Sequence, residues 1–320
     1  MRIKELLLFC TAFFLTQSIT AGEWHATSAP VELVRNESAN YMNPLWSVDG
    51  RYLAFTKANY RGILILDTQT QAVNEINDEI GAGFGMLWSQ QKPELLTRVA
   101  EYRGYRRYSA VKVFQVEVNT EITIVPYQKS MPDVPRWTET GNVYYADNSG
   151  IKLVARSNGV TNLAKAKVPQ NLFVVQRRAL AVTKTPDASP VNVPDFAQMR
   201  VINLSWSPDF TKIVFEVIGG TMYTMDADAK NITNLGIGFR PKWSPDSRAI
   251  VFMLSEDDGH RFTKSDLYII NADGTGRSEI TSTPDILEMN PSWGYDGGSL
   301  VYDVLGEGAI YSIEVQHSAE

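Results

Sequence analysis

The chain has 320 residues, 44% apolar and 21% charged, with a formal charge of −6 and one cysteine, Cys10. This is the composition of an ordinary globular protein with ample length to bury a core. It excludes a disulfide scaffold, and its acidic balance argues against nucleic acid as a partner.

Residues 1–21 have a basic start (Arg2, Lys4), an apolar stretch from Leu6 to Leu15 and a small, polar end from Ser18 to Ala21. The pattern is that of a secretory signal peptide, its apolar run being short for a membrane span of about 20 residues. Cleavage after Ala21 would remove Cys10 and, with Arg2, Lys4 and Glu5, a net charge of +1, leaving −7. Residues 22–320 are then expected to form one domain, periplasmic or secreted, without a membrane span.

Beyond the leader, Pro30-Val31-Glu32-Leu33-Val34 precedes a series of tryptophans set in one frame. The first copy is Trp46-Ser47-Val48-Asp49-Gly50 followed by Tyr52-Leu53-Ala54-Phe55, and Trp88 and Trp137 start two worn copies. The fullest are Trp206-Ser207-Pro208-Asp209, before Ile213-Val214-Phe215, and Trp243-Ser244-Pro245-Asp246, before Ala249-Ile250-Val251-Phe252. Trp293-Gly294-Tyr295-Asp296-Gly297 closes the series. Each copy reads as a strand ending in Trp, a tight turn and an apolar strand. In the best copy a further strand at Asp266–Ile270, the turn Asn271-Ala272-Asp273-Gly274 and a fourth strand follow. Four antiparallel strands per repeat of about 40 residues describe a propeller blade, and the fold class is all-β.

The frame resembles the repeats of the TolB-type β-propellers, most clearly from Val201 to Val315 and more weakly back to about Tyr41. The resemblance implies a propeller, here without the separate amino-terminal domain that TolB carries, and a place in a cell-envelope complex is one role it implies.

Successive tryptophans lie 42, 49, 69, 37 and 50 positions apart. Within the long interval Arg178-Ala179-Leu180-Ala181-Val182 echoes Arg248–Phe252, and Asn162-Leu163 echoes Asn234-Leu235, so seven blades are preferred over six with an insertion. The last copy lacks an outer strand, which Pro30–Val34 is positioned to supply, closing the ring.

The repeated tryptophans are expected to wedge between blades, and Asp49, Asp209, Asp246 and Asp296 to form turns. Gly81-Ala82-Gly83-Phe84-Gly85 precedes a strand and does not open a helix, unlike a phosphate-binding loop. The three histidines are scattered, no nucleophile elbow is present, and no metal or other cofactor is expected. Loops joining second to third strands should share a face with those entering the innermost strand. Tyr60 and Arg61 lie in one such loop, and Tyr102, Arg103, Tyr105, Arg106, Arg107 and Tyr108 in another. Tyr and Arg are frequent at binding hot spots, and Arg forks onto carboxylates and phosphates. Arg136, Arg240 and Asn290, just ahead of their tryptophans, would extend the set toward the central channel. The expected function is non-catalytic binding of a protein, a peptide or an anionic envelope polymer. A lyase or glycan hydrolase working from the same face is the alternative.

Overall fold

A computed structural model describes residues 23–157, 160–163, 171–176, 178–184 and 189–318. The expected leader lies outside the described residues. Apart from single 3-10 turns at Ala58–Tyr60 and Pro194–Phe196, the regular structure is strand. No helix among the described residues is long and apolar enough to cross a membrane.

The tryptophan frame folds by local hydrogen bonds. Ser47, Ser207 and Ser244 each accept, at 2.9 Å, the N–H of the residue five positions on, which opens the next strand. The same hydroxyls donate to Asp49, Asp209 and Asp246 at 2.6–2.7 Å. Those carboxylates accept backbone N–H groups of Arg51, Thr211 and Arg248, so the repeated aspartates are turn formers.

Seven sheets result. Five contain four strands each: blades one (42–77), two (87–128), three (136–163), five (201–237) and six (239–279); blade seven (288–317) has five, two of them amino-terminal, and blade four has three described strands. In blade seven the last strand, Ala309–His317, pairs with Val31–Arg35 near its start and with Trp24–Ala26 near its end. The expected closing strand is therefore present and longer than the sequence implied. Trp24 meets Trp293 edge-on at 5.1 Å, and the amino-terminal segment covers an edge that would otherwise be free.

Three of the tryptophans join neighbouring blades by a hydrogen bond. Trp88 donates its indole N–H to Leu45 O at 2.9 Å, Trp137 to Leu87 O at 3.1 Å and Trp293 to Lys242 O at 3.2 Å, each in the blade before. Each blade thus buries one face against the next. Trp88, for example, shares a core with Ala54, Ile65, Leu95 and Phe114.

Blade four departs from the frame. Its described strands are Leu172–Gln176, Ala179–Thr183 and Val191–Asn192. Asn171 bonds Ala227 O, in an outer turn of blade five, whereas Val175 N bonds Asp133 and Arg178 O accepts Val201 N at the opposite end. Leu172–Gln176 therefore runs opposite to the tryptophan-bearing strands, and Ala179–Thr183 returns. The echo of Arg178–Val182 with Arg248–Phe252 is apolar composition without the same direction. Asn162-Leu163, by contrast, does occupy a fourth strand, as Asn234-Leu235 does.

Candidate functional site

The innermost strands of four blades bend at one position. Three residues ahead of Trp46, Trp206, Trp243 and Trp293 stand Asn43, Asn203, Arg240 and Asn290, all with φ between +47° and +58°. At each of them the pairing with the second strand slips by one residue. Gly85 holds the same place in blade two, with φ +69°. Such a bulge re-aims the side chain, here toward the propeller axis. Asn and Gly tolerate this backbone, whereas an arginine in it costs about 1–2 kcal/mol, so Arg240 is the exception in the series.

Two carboxylates fix these bulges by the same construction. Asp303 accepts Asn290 Nδ2 of its own blade at 3.0 Å and the Asn43 N–H of the next at 2.8 Å. Glu216 accepts Asn203 Nδ2 of its own blade at 2.7 Å and the Arg240 N–H of the next at 3.2 Å. Burial pushes the Asp303 carboxyl up to about 7, against the bonds from Asn43 and Asn290 that favour its charged form.

All seven blades then converge on one cavity of about 390 Å³. Its charged lining is Arg98, Arg136, Arg178, Arg240, Lys242 and a single carboxylate, Asp133. Asp133 is fully engaged: Arg136 grips both its oxygens, at 2.6 and 3.2 Å, and Val134 N and Val175 N donate to it at 2.8 and 2.7 Å. Arg98 donates to Met131 O and Asp133 O at 2.9 and 3.1 Å, and burial holds its guanidinium below its usual range. Arg240 donates to the Tyr60 hydroxyl at 2.7 Å across the mouth. Tyr60 is itself held at φ +57° and packs edge-on against Phe84 at 5.2 Å. Lys242 is enclosed by protein yet keeps part of its surface on the cavity. Burial, with Arg240 adding to it, brings its ammonium down to about 8.

The structure divides the expected site residues into two groups. Tyr60, Arg136, Arg240 and Asn290 line the cavity. The others stand outside it on the same face. Arg61 is taken by Asp78 at 2.6 Å. Strands Glu94–Arg103 and Arg106–Gln115 form a long hairpin with Tyr105 fully exposed at its tip and Tyr102 and Tyr108 on its arms. On that hairpin Arg103 pairs with Glu101 at 2.6 Å and lies 4.5 Å over the Tyr108 ring. Arg106 and Arg107 have no carboxylate partner among the described residues. Sequence reasoning missed Arg98, Arg178 and Lys242. Two of these carried a usable signal: Lys242 stands one residue before its tryptophan, as Arg136 does, and Arg98 stands ten after, in register with Glu216 and Asp303.

No protein-family model and no curated protein sequence matches this chain. Several solved structures do. An oligogalacturonate lyase in complex with manganese shares 13% identity over 93% of this chain and 99% of that one, with a TM-score of 0.57. The Myceliophteria thermophila Cps50 (Swd1) β-propeller domain shares 12% over 89% and 99%, with a TM-score of 0.54. TolB from Acinetobacter baumannii shares 11% over 87% of this chain and 64% of that one, with a TM-score of 0.49.

The fold is a seven-bladed β-propeller. At such identities the likeness concerns the fold alone, which many unrelated functions share. The reading of this propeller's function rests on its own residues.

Proposed function

We infer that this protein is a non-catalytic binding propeller, acting outside the cytoplasm, whose hairpin-bearing loop face recognises an anionic partner, an acidic protein or peptide segment. The supporting observation is that six cations on that one face have no carboxylate partner among the described residues. Arg106 and Arg107 stand on the hairpin and Arg98, Arg178, Arg240 and Lys242 in the cavity beneath it, in a chain whose formal charge is −6. Opposed charge steers association and fixes register, and exposed Tyr102 and Tyr105 supply rigid contact area. The leader-like residues 1–21 support the localisation.

The test is capture from an envelope extract by wild type and by the Arg103→Ala/Arg106→Ala/Arg107→Ala variant, at low and high salt. One species should be retained by wild type, lost from the variant and weakened by salt, since screening shortens the reach of exposed charges. Digestion of that species by protease identifies a protein; resistance points to an anionic polymer. Equal retention by both chains sinks the reading.

Of the enzymatic alternatives, a carboxylate-pair hydrolase finds no support in the cavity, whose single carboxylate is fully engaged. Elimination beside a carboxylate has one observation in its favour. The neutral amine of Lys242, whose ammonium titrates near 8, would take the proton beside the carboxylate while Arg240 stabilises the developing enolate; the C–O bond at the β carbon then breaks, the double bond forms and the oxygen leaves as an alcohol with a proton from water. Formation of an unsaturated product from an anionic glycan, abolished in Lys242→Gln, would establish it over the binding reading.

A further inference from the structure

We propose that the axial cavity is a binding site for a small amphipathic oxyanion, a molecule with a carboxylate or phosphate group on an apolar body, seated with its charge between Arg240 and Lys242. This goes beyond the loop-face reading, which concerns a macromolecule and requires no occupant in the cavity.

Among the described residues neither the Lys242 ammonium nor the guanidinium of the exposed Arg178 has a hydrogen-bond or carboxylate partner, although both line the cavity. A largely enclosed cation such as Lys242 without a counter-charge is unfavourable, and the described cavity wall offers no free carboxylate to supply one. Asp133 is saturated by Arg136 and two backbone N–H groups, while Glu216 and Asp303 are committed to the bulges of their own and the following blades. An anion from outside completes the set.

The shape of the cavity points the same way. Between the charged groups the wall is apolar, formed by Pro44, Leu45, Val134, Val201 and Leu204 among others. A bare inorganic anion would leave that wall uncovered. At about 390 Å³ the space falls in the range of small-ligand sites, roughly 300–1,000 Å³. It is also preformed, because the paired bulges fix the positions of Asn43, Asn203, Arg240 and Asn290 before any ligand arrives, which lowers the cost of binding. Hydrogen bonding through Nδ2 leaves Asn203 and Asn290 with Oδ1 as an unused acceptor for a donor on the ligand.

The full mature chain is titrated with anilinonaphthalene sulfonate, an aromatic oxyanion whose fluorescence rises in apolar surroundings, and the complex is challenged with octanoate, octyl phosphate and octanol. The expected result is one site per chain, displaced by octanoate or octyl phosphate and not by octanol. Whichever of the two displaces better distinguishes a carboxylate from a phosphate ligand. Lys242→Gln, which removes a cation that no protein group holds, should weaken binding at least tenfold, the loss expected of one charged contact. Lys242→Arg should restore it. Should Lys242→Gln fail to fold, Arg178→Gln serves instead and should weaken binding at least threefold. The hairpin variant should bind the probe as wild type does, so that failure here and failure of the loop-face reading remain distinct. Displacement by octanol as effective as by octanoate, or undiminished binding to the folded Lys242 or Arg178 variant, overturns the proposal.

Discussion

Arg103 on the hairpin and Arg240 in the cavity wall each lie against a tyrosine, Tyr108 and Tyr60. Their circumstances otherwise differ. Arg103 is exposed and is neutralised by Glu101, two residues away in sequence. Arg240 sits in a left-handed bulge, bonded to a tyrosine 180 residues away, with no carboxylate in ion-pair range among the described residues. A cation that the local chain can neutralise is an ordinary solvated charge. A cation that the fold isolates from carboxylates marks a place where something else is expected. The comparison predicts that substitutions in the cavity wall will register strongly in stability, and those on the hairpin hardly at all.

The largest effect should come from Arg136, which is 2% exposed and bidentate on Asp133. Arg136→Ala leaves a buried carboxylate uncompensated, and loss of one partner of such a pair costs about 3–5 kcal/mol. Urea denaturation measures it. A loss below about 1 kcal/mol would mean that the cavity wall is as soft as the surface, and the contrast with the hairpin would fail.

The next effect is a pH dependence. Burial pushes Asp303, and independently Glu288, up to about 7. With folded-state values above the unfolded ones, the native protein keeps protons that the unfolded chain has lost between about pH 4 and pH 7. Stability from these groups is therefore fully present at the acid end of that window and declines as pH rises through it. The decline is on the order of 2 kcal/mol per group between pH 5 and pH 7. Asp303→Asn should remove its share and flatten the profile, while a carbonyl oxygen remains to accept the Asn43 N–H. A profile that rises over the same interval and is unaffected by the substitution would contradict the assignment.

Lys242 should respond in the opposite sense to an ordinary charged residue. Its folded value, about 8, lies below that of a free lysine, so the unfolded chain binds the extra proton between about pH 8 and pH 10.5, and stability gains as pH rises through that window. Because part of the side chain faces the cavity, the gain at pH 7 from Lys242→Met should be about 1 kcal/mol, less than the full shift implies. A destabilisation of similar size would mean that the ammonium is held by a group other than a ligand.

The fold was legible because a propeller writes its structure repeatedly. Ser207 and Asp209 make the same bonds as Ser47 and Asp49, and one good copy explains the worn ones. Blade four was not legible in the same way, since an apolar run such as Ala179–Val182 suits a strand of either direction and no tryptophan turn fixes which. The cavity was legible in part. Arg136, Arg240 and Asn290 declare themselves by their spacing from a tryptophan, but Arg178 belongs to blade four and follows no such spacing. The isolation of Lys242 depends on where Asp133, Glu216 and Asp303 spend their hydrogen bonds, and some of those partners, Val175 and Asn43 among them, belong to other blades. Density of Arg and Tyr along the chain drew attention to the hairpin, whereas convergence at the axis is a property of the closed ring.

The smallest expected effect completes the comparison. Replacing Arg103, Arg106 and Arg107 together by Ala removes one exposed ion pair, which contributes about 0–1 kcal/mol, and relieves the crowding of like charges at the hairpin arms. Arg107 also lies near enough to Arg98 for the two positive charges to oppose each other, so its removal offsets part of any loss. The triple variant should accordingly melt with wild type, within about 0.5 kcal/mol. If it were instead destabilised by several kcal/mol, the hairpin cations would be part of the fold's own electrostatics, and a binding defect in that variant could no longer be assigned to the loop face.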